Sequence, residues 1–381
     1  MAGFCSWWSK NIIDMNMQSM DRAGSGKLIL ISTEAIEDGM RLARDILSPE
    51  GLLLLPRGSV IKSWISNHLK SRGVKWLWVY EEEFREDAST PVQLAEKRFF
   101  TEYLRAVGVI KEILQRLSRN QTFEETEIKK AIAELMPVVL SSPRIMHFLA
   151  KARQSGETLY THLINVGVLT MLLGHWLNLG DEEIVQLGVA GVMHDIGKSQ
   201  VEKVLLDKPG PLTPQEWDQM KAHTVLGYVM AVRSGISVPV VLATILQHHE
   251  REDGSGYPNG LDGSQINPAA KAVMVADVFE AVTARRPYRH RFTIYHASEV
   301  LQGMLYGRLC PRMTTTFLQG LSNFYIGNRV RLSSGEVGEV VWIDRFIPTR
   351  PTVRVGDKYY DLMRQREIHI VEEILEPESE F

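Results

Sequence analysis

One aspartate stands inside a nearly unbroken apolar run, Val273-Met274-Val275-Ala276-Asp277-Val278-Phe279. The run reads as a helix within a longer helical segment, 268–284. A carboxylate there is costly to bury unless a cation or several donors meet it. The chain must therefore fold so that other segments bring positive charge, or a metal with its ligands, to the middle of a core helix. Imidazole is the commonest protein ligand for borderline divalent metals, and several histidines lie in segments that could supply it.

Two are adjacent, in His248-His249-Glu250-Arg251-Glu252-Asp253-Gly254-Ser255-Gly256-Tyr257-Pro258. Neighbouring histidines cannot share one helix face, but at a helix end they reach two metals or two sides of one. The glycines that follow stop the helix and let backbone approach a ligand. His194-Asp195-Ile196-Gly197-Lys198 closes the apolar run Val185, Leu187, Val189, Val192, which places a nitrogen donor beside a carboxylate able to bridge. His162 lies inside the apolar helix around Tyr160 to Val166. His223 precedes Gly227, whose missing side chain permits close helix packing.

Singly, each has an ordinary reading as a loop histidine or a hydrogen-bonded core histidine. Together His162, His194, Asp195, His223, His248, His249 and Asp277 make five imidazoles and two carboxylates. That exceeds one tetrahedral zinc and suits two octahedral metals bridged by Asp195 and a hydroxide. Nitrogen and oxygen donors without thiolate point to iron or manganese over zinc. His68, His147, His175, His290, His296 and His369 stand alone and read as surface or outer residues.

At 381 residues the chain has room for two or three domains. Its net charge of −3 argues against a broad DNA-binding surface. Two widely separated cysteines, Cys5 and Cys310, fit a reducing cytoplasm. No apolar run reaches the roughly 20 residues that span a bilayer. The expected class is multidomain and mainly α, with a small α/β module first and a small β domain last. Residues 1–26 read as a disordered tail and 27–90 as the α/β module, with Gly73 ending a helix that carries Ile61, Ile65 and Leu69. Residues 91–150 form a helical linker, 151–324 an all-α domain, and 325–381 short strands separated by Gly turns. In 92–135, Phe100, Tyr103, Leu104, Val107, Ile110, Leu114 and Leu117 recur at helical spacing. This stripe packs on its own domain or, alternatively, forms a homodimer seam.

From about 155 to 300 the chain resembles the HD-GYP family, a branch of the HD phosphohydrolases. The resemblance rests on His194-Asp195-Ile196-Gly197-Lys198, His223 with Gly227, His248-His249-Glu250, Asp253 to Pro258, and Ala276-Asp277-Val278-Phe279 leading to Arg286-Pro287-Tyr288-Arg289. It implies a bacterial phosphodiesterase that opens cyclic di-GMP to pGpG, with onward cleavage to GMP left open. It also implies a helical bundle around a bimetal centre. Asp195 and Lys198 become the catalytic residues. Lys198, Arg286 and Arg289 become phosphate contacts, and Gly256, Tyr257 and Pro258 a pocket rim able to meet a signalling protein. Three-metal members carry a glutamate where this chain has Thr158, with Glu157 one residue earlier, so a third metal is not expected. Thr224 replaces the usual proline, and Glu280 an aspartate on the same face as Asp277. Two alternatives are a non-catalytic cyclic di-GMP receptor and a phosphohydrolase for another cyclic dinucleotide, such as cyclic GMP-AMP.

Overall fold

The computed structural model describes residues 28–37, 39–47, 53–63, 65–80, 91–154, 159–206, 208–284, 293–344 and 347–374. The expected tail, residues 81–90, Glu157, Thr158, Arg286 and Arg289 lie outside the described residues. The chain divides into two compact units, Met1–Ala88 and Ser89–Phe381.

In the first unit, β1 (Leu28–Ser32) pairs antiparallel with β4 (Trp76–Tyr80), and β2 (Ile46–Leu47) with β3 (Leu53–Leu55). One helix, α1 (Ile65–Ser71), lies between β3 and β4 in sequence. Gly73 follows it at φ +80°, a left-handed conformation that glycine adopts without a Cβ penalty. Leu42, Ile61, Leu69, Leu77 and Val79 are buried and make a small core.

The second unit opens with α2 (Pro91–Ser118), α3 (Glu125–Ser141) and α4 (Ile145–Gln154). Phe99, Tyr103, Ala106, Ile110, Ile113, Leu114 and Leu117 form the buried side of α2. Their three- and four-residue spacing explains why a helix forms here and which way it faces. The stripe packs within its own unit. Leu104, expected on it, is 62% exposed, because it sits one position off the buried face.

Next come α5 (Leu159–Trp176) and α6 (Asp181–Met193). Every residue from Leu163 to Gly174 is buried, so α5 is covered on all sides and needs no polar face. A Cβ at Gly167 would lie 2.4 Å from the Val192 side chain, so α5 and α6 approach closely there. A short 3-10 turn, Ile196–Gln200, and α7 (Lys203–Leu206) lead to α8 (Pro214–Lys221) and α9 (His223–Arg233). The stretch 214–233 is thus two helices that meet at Ala222. There the His223 ring nitrogen Nδ1 meets the Met220 carbonyl at 2.6 Å. The remaining helices are α10 (Pro239–Gln247), α11 (Pro268–Thr283), α12 (Ile294–Gly303) and α13 (Pro311–Ser322).

Five antiparallel strands follow: β5 (Arg329–Leu332), β6 (Val337–Trp342), β7 (Thr352–Val355), β8 (Lys358–Asp361) and β9 (Ile370–Ile374). Their order is β8-β7-β6-β5-β9. Val330, Leu332, Val340, Val353 and Leu362 enter the same apolar core as the helices. Ser298 on α12 and the Tyr325 hydroxyl share a buried hydrogen bond of 2.8 Å. The chain is mainly helical, with a small strand module first and a sheet last.

Candidate metal centre

Five helix ends or helices deliver the site. α5 carries His162 in its first turn. His194 caps the end of α6 and Asp195 follows. His223 opens α9, His248 caps α10, and Asp277 lies in α11. Two glycines let these segments meet. A Cβ on Gly197 would fall 1.9 Å from the His223 carbonyl oxygen, and one on Gly227 3.1 Å from the Gly197 nitrogen.

The seven residues singled out from the sequence come together around Asp195. Its Oδ2 lies 3.2 Å from His194 Nε2 and 3.8 Å from His162 Nε2. Its Oδ1 lies 3.1 Å from His223 Nε2 and 3.4 Å from His248 Nε2. Asp277 Oδ1 stands 3.3 Å from His162 Nε2 and 3.8 Å from His194 Nε2. His249 joins the second cluster: one ligand atom from each of Asp195, His223, His248 and His249 falls within 4.8 Å of the others. His162, His194 and Asp195 meet the same spacing. Asp195 belongs to both clusters and gives one oxygen to each.

Three imidazoles are aimed by backbone. His194 Nδ1 meets the Gly191 carbonyl at 2.7 Å, His223 Nδ1 that of Met220 at 2.6 Å, and His248 Nδ1 that of Ile245 at 3.0 Å. A carbonyl only accepts, so each Nδ1 carries the proton. Each Nε2 is then left as a lone-pair donor facing Asp195, the arrangement found in metal-ligating histidines. The buried His194 Nε2 and Asp195 Oδ1 make no hydrogen bond of good geometry. Orphaned acceptors packed this closely repel one another unless a cation lies between them.

The charges agree with that reading. Burial pushes His248 down to about 4. Burial, then the neighbouring His248, hold His249 well below its usual range. Burial also pulls on His162, but the Asp277 hydrogen bond and charge outweigh it and raise its pKa. Burial alone would raise Asp195. The Lys198 ammonium reverses this and holds it well below the carboxylate range. Lys198 Nζ contacts Asp195 Oδ2 directly.

The Gly-Tyr-Pro loop covers the second cluster. Tyr257 stacks on His249, with centroids 4.7 Å apart and planes at 26°. A Cβ on Gly256 would lie 2.3 Å from Glu250 Cα, so only glycine brings the loop this close. Pro258 follows through a cis peptide. Glu250 is a residue whose part the sequence did not disclose. It is fully buried, and its carboxylate accepts from Asn259 N at 2.8 Å and Leu261 N at 2.9 Å, which folds the loop back.

Residues 145–308 match the HD domain family model. The segment is an HD domain. A cyclic di-GMP phosphodiesterase of Pseudomonas aeruginosa is 31% identical over 239 residues, 62% of this chain and 57% of the relative. One from Thermotoga maritima is 36% identical over 179 residues, 46% of this chain and 47% of the relative. A 3'3'-cGAMP-specific phosphodiesterase of Vibrio cholerae is 30% identical over 224 residues, 55% of this chain and 48% of the relative. The chain thus spans about half the length of these curated relatives. Among the described residues no helix is long and apolar enough to cross a membrane.

Proposed function

We propose that the HD domain hydrolyses a phosphodiester bond of cyclic di-GMP, giving pGpG. The reading is carried by one observation: the Asp195 carboxylate offers one oxygen to each of two histidine clusters. Two divalent cations fit this donor set, with iron or manganese favoured by the absence of thiolate. His162, His194 and Asp277 would hold one, and His223, His248 and His249 the other, with Asp195 shared. When bound, such a pair supplies Lewis acidity toward a phosphate oxygen and acidifies a bound water.

The chain's own residues do the rest. Asp195 keeps its charge at neutral pH, since Lys198 holds it ionised. Lys198, a quarter exposed beside Asp195, presents an ammonium to the phosphate and stabilises charge that develops on its oxygens. Gly256, Tyr257 and Pro258 shape the rim over His249. Arg286 and Arg289 add guanidinium contacts to the substrate phosphates. A homodimer would use the outward side of α2, where Leu94 and Leu104 are exposed, and the Gly-Tyr-Pro loop would meet a signalling protein.

The test is anaerobic purification, metal analysis and incubation with cyclic di-GMP, followed by product chromatography. Two metals per chain and pGpG are expected. Two metals with bound but uncut dinucleotide would overturn hydrolysis in favour of a receptor. The Vibrio cholerae relative named for 3'3'-cGAMP makes cyclic GMP-AMP the second substrate to assay.

A further inference from the structure

Beside the metal centre lies a buried polar chain that the proposed chemistry does not use. Glu280 and Arg153 are both almost wholly buried, and their side chains form a bidentate ion pair. Asn165 Nδ2 donates to Glu280 Oε1 at 2.7 Å, and the Tyr103 hydroxyl donates to Asn165 Oδ1 at 2.8 Å. Four helices meet in this chain: Tyr103 comes from α2, Arg153 from α4, Asn165 from α5 and Glu280 from α11.

Its position is set by the sequence. Asn165 follows His162 by three residues on α5, and Glu280 follows Asp277 by three on α11. Residues three apart share a helix face. The two helices are therefore joined by two successive rungs. One is Asn165–Glu280, and the other is His162–Asp277 at 3.3 Å. The first rung is buried and its carboxylate oxygens are occupied by Arg153 and Asn165, so it resists sliding or rotation of α5 against α11. The second rung consists of candidate metal ligands, and its spacing follows from the first.

We propose that Asn165 and Glu280 are positioning residues for the His162/Asp277 half of the metal centre, with Tyr103 and Arg153 holding them from α2 and α4. The inference rests on the two-metal reading above. Loosening the buried rung lets His162 and Asp277 drift apart, while His223, His248 and His249, on α9 and after α10, keep their places. Supporting residues behind metal ligands typically influence affinity by about 10–100-fold. Here one half of the centre alone should feel it.

Metal-free protein is titrated with manganese by calorimetry at pH 7.5, for wild type, Asn165→Ala, Tyr103→Phe and Asp277→Ala. Wild type should bind in two steps. Asp277→Ala, which removes a ligand, assigns one step to the His162 half. Asn165→Ala should weaken that same step about tenfold, and Tyr103→Phe, which loses only a hydroxyl, a few-fold, with the other step within twofold of wild type. Thermal melts accompany each titration. If Asn165→Ala does not fold, Tyr103→Phe decides. Folded variants that titrate as wild type, or whose two steps weaken equally in line with a lowered melting temperature, would overturn the inference. Wild type that binds fewer than two metals would instead sink the two-metal reading itself.

Discussion

At the scale of single residues, Asp195 has no substitute. It is 1% exposed, and its two oxygens face different histidine groups. Asp195→Asn removes the charge that both groups share while keeping the shape. The expected outcome is loss of at least one of the two metals by elemental analysis, and of about 100-fold or more in kcat by product chromatography. His248 gives a pH test. Its folded pKa, about 4, lies below the ordinary histidine value near 6.5. The unfolded chain therefore binds the extra proton first as pH falls. The stability that His248 contributes is fully present above about pH 6.5 and is lost on the way down through about pH 4. His248→Asn lacks this titration. In metal-free protein, the denaturation midpoint of wild type should fall relative to His248→Asn across that window. Parallel curves would refute it.

At the scale of elements, the approach of the 3-10 turn to α9 is the tightest joint near the site. Gly197→Ala would drive a methyl into the His223 carbonyl. Overpacking of this kind costs about 1–3 kcal/mol, and here it also shifts His223, so a lower melting temperature should come with weaker metal binding. Glu250→Ala would leave the Asn259 and Leu261 amides without their acceptor and untie the loop, at about 0.5–1.5 kcal/mol for each hydrogen bond. With Tyr257 released from His249, KM should rise more than kcat falls in steady-state assays. These elements also show what could be read in advance. Asp277 and His162 announced themselves because each interrupts an apolar helix, and a polar group there needs a partner. The β5–β9 region was legible from alternating short runs and glycine turns. The break at Ala222 was not, since neither proline nor glycine marks it. Glu250 and Glu280 were equally silent as buried network members. A glutamate has the same letters whether it is solvated or buried, and only the fold supplies Arg153 or the loop amides.

At the scale of the whole molecule, the helices and the last sheet of the second unit share one apolar core, so events at the centre should register in global stability. A metal held at 100 times its dissociation constant stabilises the folded state by about 2.7 kcal/mol per site. Adding manganese to chelator-treated protein should raise the melting temperature by several degrees, and Asp195→Asn should blunt that rise. An unchanged melting curve would mean that the cation has no strong preference for the native fold.

The imidazoles of His194, His223 and His248 are steered by carbonyls only three residues back along their own backbone. Their bearings are local property, not negotiated among the ligands. A mutation that strikes out one donor would leave the others pointing where they did. A chain built on this plan can lose one ligand and keep the remaining pocket intact.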